Sequence, residues 1–305
     1  MKQKICEIRL DQLVKHTSPY AVFEEVKNNF VHHYPICEFV ILKEIFDDYI
    51  NLMEGRNPKY KKCNVKFHDI QHTTDVVLAL SRLIDGYNIK HSYKKLPLDK
   101  VKLVLIASIF HDIGYLQRVD EIEGSGAKYT TIHVHRSIEI AEDYFNEKKI
   151  LSKKELELVK KFILATEMNI DFSKINFKDK KEKILAHMIA TSDFLGQMSS
   201  RTYLEKLLFL YKEFKEGGIT AYTSELDLFH KTPQFYNFVL KKLKIEYNSV
   251  YEYAKIHFQK RYKINKNLYL VAIERQINYL KENIKTEEDL YKKLRRINET
   301  GTIIY

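Results

Sequence analysis

The stretch Leu103 to Gly114, LVLIASIFHDIG, runs eight apolar or small residues straight into a His-Asp pair at 111–112, and a glycine follows. A run without a polar face is expected to be buried on all sides, most simply as a helix. A histidine and a carboxylate at its inner end are costly unless something compensates the buried charge. A bound cation does so by binding both side chains; the alternative is a neutral His111 capping the helix while Asp112 reaches solvent. A second group lies upstream in FHDIQHTTDV, where His68 and His72 are four apart and Asp75 is three further on. On a helix all three share one face, an arrangement used for metal or acid–base chemistry that also arises by accident. Asp193 stands inside the apolar segment KILAHMIATSDFLGQMS (183–199), and a lone buried Asp needs a partner or a metal. Taken in order, His72, His111, Asp112 and Asp193 offer two nitrogens and two carboxylates. Such a set leaves coordination positions open to water or substrate, which is the mark of a catalytic metal rather than a structural one.

The elements that must position these residues are helical. The 305 residues hold only 9 Gly and 5 Pro, with 45% hydrophobic and 12% aromatic side chains, a composition that favours helices and supplies ample core. Periodicity predicts helices over 38–55, over 67–87 with His68 and His72 on it, and from Pro97 to the His-Asp pair. Others follow from His133 and His135, over 153–168 with Ser152 and Glu155 as a capping box, over 183–199 and over 203–218. Two more, over 235–264 and 268–284, read with the rest of the chain beyond Tyr203 as packing material. Residues 115–131, with two glycines and no period, form a linker able to cover a site or simply to cross the surface. The tail GTIIY reads as a docked strand or a frayed end. The expected organisation is one globular unit: an N-terminal helical segment (1–60), a metal-binding core (61–200) and C-terminal helices packed on it (201–305).

Composition also excludes. The longest apolar run is far short of a membrane span, and the N-terminal residues resemble neither a signal peptide nor a lipidation signal. Cys6, Cys37 and Cys63 form no CxxC pair or disulfide framework, which suits a reduced, cytoplasmic location. The net charge of +10 comes from small lysine groups mixed with Glu, so a solvated surface explains it better than a nucleic-acid site.

The ordered pattern H…HD…D resembles the HD-domain superfamily of metal-dependent phosphohydrolases over roughly residues 60–200. Three stretches are similar to its cyclic-nucleotide phosphodiesterase branch: FHDIQHTTDV, FILATEM and LEKLLFLYKEFKEGG. The resemblance implies an all-α HD-domain bundle with additional N- and C-terminal helices. It implies His72, His111, Asp112 and Asp193 as metal ligands and His68 as general acid; Glu167, in the polar cluster that ends the 153–168 helix, is expected to hold the imidazolium. Either His133 or His135 would contact a second metal or its water, and Asp75 would support the site. Two divalent ions are implied, Zn, Fe or Mn in the first position and Mg or Mn in the second. The activity implied is cleavage of a phosphoester by metal-activated water, the leading substrate being a nucleotide phosphodiester such as a cyclic nucleotide. Departures are plain: Asp69 replaces the branch's Asn, and Ile-Gly-Tyr follows the HD pair instead of Asp-His-Pro. The branch's base-reading glutamine has two candidate positions, Gln259 and Gln276. Rival readings are a nucleotide or diphosphate phosphomonohydrolase, a di-iron oxygenase on the same residues, and a non-catalytic nucleotide-binding protein. Expected partners are a small phosphorylated substrate and, at most, a second copy of the chain.

Overall fold

The computed structural model describes residues 8–294; Cys6 and the GTIIY tail lie outside them. Among the described residues there are twelve α-helices and no strand, and the one isolated bridge pairs Tyr60 with Arg118. In chain order the helices are α1 (Pro19–Val31), α2 (Val40–Met53), α3 (Ile70–Lys90), α4 (Leu98–Phe110), α5 (His133–Lys148) and α6 (Lys153–Leu164). They continue with α7 (Lys180–Ser199), α8 (Tyr203–Glu216), α9 (Glu225–Lys241), α10 (Tyr253–Tyr262), α11 (Leu268–Asn283) and α12 (Glu287–Lys293). The all-α expectation is met.

Every residue of α3 from His72 to Asn88 is buried. A helix with no solvent face needs neighbours all round, and α3 has them in α1, α4, α7 and α10. The apolar run of α4 is buried from Leu103 to Phe110, as its composition requires. One contiguous cluster of buried apolar side chains extends from Leu10 to Leu294, so the N- and C-terminal helices share a core with the central ones.

Local signals set several boundaries. Ser152 and Glu155 close the expected capping box on α6. Asp179 caps α7 by accepting from the backbone of Lys181 and Glu182. Two expectations need correction. Helix α3 begins at Ile70, because Asp69 acts as its N-cap and accepts from His72 N at 2.8 Å; His68 therefore precedes the helix. The stretch 235–264 is not one helix: α9 passes through a π-helical turn at Lys242–Glu246, and Asn248 and Ser249 adopt positive φ before α10 starts.

Two glycines bring the helices close enough to build a site. A Cβ on Gly196 of α7 would stand 2.8 Å from Val76 N, so α7 crosses α3 at a distance only glycine permits. A Cβ on Gly114 would lie 2.0 Å from the His133 carbonyl oxygen. The first turn of α5 thus rests directly on the turn that follows the His-Asp pair, and the Ser137 hydroxyl accepts from Gly114 N at 2.9 Å.

Candidate metal centre

Four elements deliver polar groups to one point: the first turn of α3, the end of α4, the first turn of α5 and the middle of α7. The ligand atoms of His72, His111 and Asp112 lie within 4.8 Å of one another. The His72 Nε2 is 3.3 Å from the His111 Nε2 and 2.9 Å from an Asp112 oxygen, which is itself 3.2 Å from His111 Nε2. Asp193 completes the group, 3.4 Å from His72 and 3.8 Å from His111. An ion with ligands at about 2.0–2.2 Å spaces adjacent ligand atoms roughly 3.0–3.4 Å apart, in line with most of these contacts.

The tautomer of His111 is fixed by its surroundings. Its Nδ1 lies 2.8 Å from the Ser108 carbonyl oxygen, which can only accept, so Nδ1 carries the proton and Nε2 turns to the cluster. A single proton cannot satisfy two facing Nε2 atoms and two carboxylates at once, whereas one cation can. Electrostatics point the same way. Burial opposes the imidazolium of His111, but Asp112 and Asp193 outweigh it and push its pKa up to about 9. Burial likewise opposes the Asp112 carboxylate, and His111, His72 and His68 hold its pKa well below the ordinary range. This pocket favours positive charge, and its donor set fits a divalent ion of the Zn, Fe or Mn kind.

The second oxygen of Asp112 faces His133, whose Nε2 is 3.5 Å away and whose Nδ1 lies 2.7 Å from the Thr130 carbonyl oxygen. Burial, reinforced by the neighbouring His68, lowers the His133 pKa and keeps its ring neutral and able to ligate. Of the two histidines named from sequence, His133 is the one beside Asp112; His135 is 64% exposed and stands 3.8 Å from Glu167 at the rim. Asp75 does not join the site. It turns to His16, with Nδ1 2.6 Å from its carboxylate, and borders a separate, smaller cavity.

His68 stands beside the cluster, its ring perpendicular to His72 at 5.5 Å and stacked on Tyr115 at 4.3 Å. Its Nδ1 is held by Glu213 of α8 at 2.7 Å, not by Glu167 as expected from the sequence. The other Glu213 oxygen accepts from the backbone of Lys66 and Phe67, at 2.9 and 2.7 Å. Burial alone would lower the His68 pKa, but the Glu213 carboxylate raises it above the usual 6.5. Lys206, also on α8, binds both oxygens of Asp69 at 2.7 and 2.9 Å. Sequence reasoning missed this clamp, although a signal was present: Lys206 and Glu213 are seven apart and so share one face of an amphipathic helix, at positions that are buried.

A cavity of about 590 Å³ opens on the cluster. Asp112, Asp193, His68 and His133 form one part of its wall. The C-terminal region, read from sequence as packing, supplies much of the rest through Leu207, Leu210 and Phe214 of α8 and Leu228, Phe235 and Phe238 of α9. The end of the 115–131 linker also reaches the wall, at Thr130 and Thr131. Neither glutamine singled out from sequence lines it. Gln259 is exposed on α10, and Gln276 donates to the carbonyls of Met198 and Ser200 at 3.1 and 2.6 Å. Gln197, one turn after Asp193, does face the cavity.

Fold and site together define an all-α protein with a buried His/His/Asp cluster able to hold a metal ion beside a largely apolar cavity. Residues 120–276, just over half of the chain, match the family described as Npun_R2479-like, and the chain belongs to that family. The matched segment includes His133, Asp193, Lys206 and Glu213 but begins after the His111–Asp112 pair. No curated protein and no solved structure matches the chain. No helix among the described residues is long and apolar enough to cross a membrane.

Proposed function

We propose that the protein is a metal-dependent phosphohydrolase that cleaves a phosphoester in the cavity beside the cluster. The observation that carries this reading is the convergence of His72, His111 and Asp112 on one point, with Asp193 3.4 Å from His72, beside a ligand-sized cavity. A bound divalent cation supplies a Lewis acid for the phosphoryl oxygens and lowers the pKa of water to near neutrality. His72, His111, Asp112 and Asp193 would hold the ion, and the second oxygen of Asp112, with His133, would be available to a second one. Glu213 raises the His68 pKa and so favours the protonated ring, and with Nδ1 engaged the proton available to the leaving oxygen is the one on Nε2. Tyr115, stacked on both His68 and His133, fixes the planes of the two rings. A nucleotide or cyclic nucleotide as substrate rests on the resemblance of the sequence alone.

The apolar wall favours one second reading, a di-iron oxygenase built on the same residues; it would show iron near two per chain and visible absorption. Purified protein assayed against a panel of phosphoesters with Mn, Mg, Zn and Fe separates the two. Asp112→Ala is expected to lose bound metal and hydrolysis together, because both of its oxygens face ligand nitrogens. Full metal content in that variant by elemental analysis would overturn the assignment.

A further inference from the structure

The chain carries a net charge of +10, yet no lysine or arginine is among the described residues that line the cavity at the cluster. Its imidazoles and carboxylates are those of His68, His133, His135, Asp112, Asp193 and Glu167. The hydroxyls of Thr130, Thr166 and Thr232 on the wall are already donated to the carbonyls of Ala127, Ile163 and Leu228, at 2.6, 2.7 and 2.8 Å. Gln197, Asn169 and Thr131 add neutral polar groups to the wall, but no cationic side chain among the described residues lies beyond the histidines, and the part formed by α8 and α9 is mainly aliphatic and aromatic. A nucleoside di- or triphosphate would bring several negative charges into this space with no cationic side chain to meet those beyond the metals' reach, a costly desolvation.

We propose that the substrate is a single-phosphate ester of an apolar alcohol, aryl or long-chain alkyl, whose phosphate lies at the cluster and whose body fills the lobe between α8 and α9. This inference rests on the phosphohydrolase reading for the phosphate end only; the apolar lobe stands on its own lining. A volume of about 590 Å³ suits a ligand of drug-like size. Phe194, Leu210, Phe214, Tyr222, Leu228 and Phe235 would cover its apolar surface. Ala221, exposed on the segment joining α8 to α9, borders the lobe and is the position at which a larger side chain narrows it with least effect on the core.

The test is calorimetric titration of the Mn-loaded full chain with methyl-, butyl- and octylphosphonate and with ATP. Affinity is expected to rise about three- to four-fold for each methylene buried, the increment of apolar transfer, and octylphosphonate should bind more tightly than ATP. Ala221→Trp should weaken octylphosphonate at least ten-fold and leave methylphosphonate unchanged. Phe238→Ala, at a partly exposed wall residue, should weaken it several-fold should the tryptophan variant fail to fold. Affinity independent of chain length, or tighter binding of ATP, would overturn the inference while leaving the metal reading intact. Should the protein hold no metal, the phosphohydrolase reading fails, and titration with butanol to octanol tests the lobe alone. A length-dependent affinity that Ala221→Trp abolishes would then support the apolar site, and a flat series would overturn it.

Discussion

His68 enters the cavity with one ring nitrogen engaged, its plane set by Tyr115 and its charge supported by Glu213. An engaged Nδ1 orients a metal ligand as well as a general acid, but the raised pKa favours the protonated ring, which donates a proton and does not ligate. On the proposed reading His68→Ala should retain metal, since His72, His111, Asp112 and Asp193 would suffice to hold it. Turnover should fall by about 10²–10⁴ for esters with a poor alkoxide leaving group and far less for p-nitrophenyl esters, whose leaving group needs little protonation. Equal losses for both classes, accompanied by loss of metal, would instead make His68 a ligand. Glu213→Gln keeps an oxygen for the Lys66 and Phe67 amides but removes the charge that raises the His68 pKa. Its pH–rate profile should lose activity at a lower pH than the parent, with KM little changed. A profile that does not move would remove Glu213 from any role in the proton step.

At the scale of elements, the legible part of the site was the part encoded locally. His111-Asp112 stood out because an apolar run delivered it, and Asp193 because it interrupts a buried helix; both proved to face the same point. What stayed hidden depends on contacts between elements far apart in the chain. Glu213 meets His68 across 145 residues and Lys206 meets Asp69 across 137, so no local pattern pairs them. His68 was assigned to the helix because the apolar period extends back over it, whereas Asp69 stops the helix by capping its first turn. Gly114 is the hinge of this arrangement, since a methyl group there would strike the backbone at His133 and Ser137. Gly114→Ala should cost about 1–3 kcal/mol as an overpacked contact that backbone must relieve. It should also shift His133 away from Asp112, so that, on the proposed two-ion reading, metal content falls to one per chain at the His72–His111–Asp112 position. Metal titration reads the outcome, and two tightly held ions in the variant would refute the role given to α5.

Across the whole molecule, α3 is the shaft on which the N-terminal, central and C-terminal helices are mounted, and its inner end is secured by a second buried charge. Asp85 is fully buried and is met by His33 Nε2 at 2.8 Å just after α1, and by His257 Nδ1 at 2.7 Å and Arg261 Nε at 3.1 Å from α10. Burial opposes the carboxylate, but His257, His33 and Arg261 hold its pKa far below the ordinary value. His257 behaves in the opposite sense: burial, helped by Arg82 and Arg261, overrides Asp85 and lowers its pKa to about 4. The consequence for stability follows by linkage. Between about pH 6.5 and 4 the unfolded chain takes up the His257 proton while the folded chain does not, so stability falls as pH drops through that window. Below the ordinary Asp value the unfolded chain also protonates Asp85 while the folded one resists, and the decline continues. Asp85→Ala, which strands Arg261 and two histidines, should cost about 3–5 kcal/mol. His257→Gln, whose amide can still donate to Asp85 but does not titrate, should flatten the upper part of the curve and leave the lower part in place. Thermal midpoints measured from pH 8 to 3 on the parent and on His257→Gln decide it. If the two curves run parallel between pH 6.5 and 4, His257 is not the group whose protonation unseats α10 from α3.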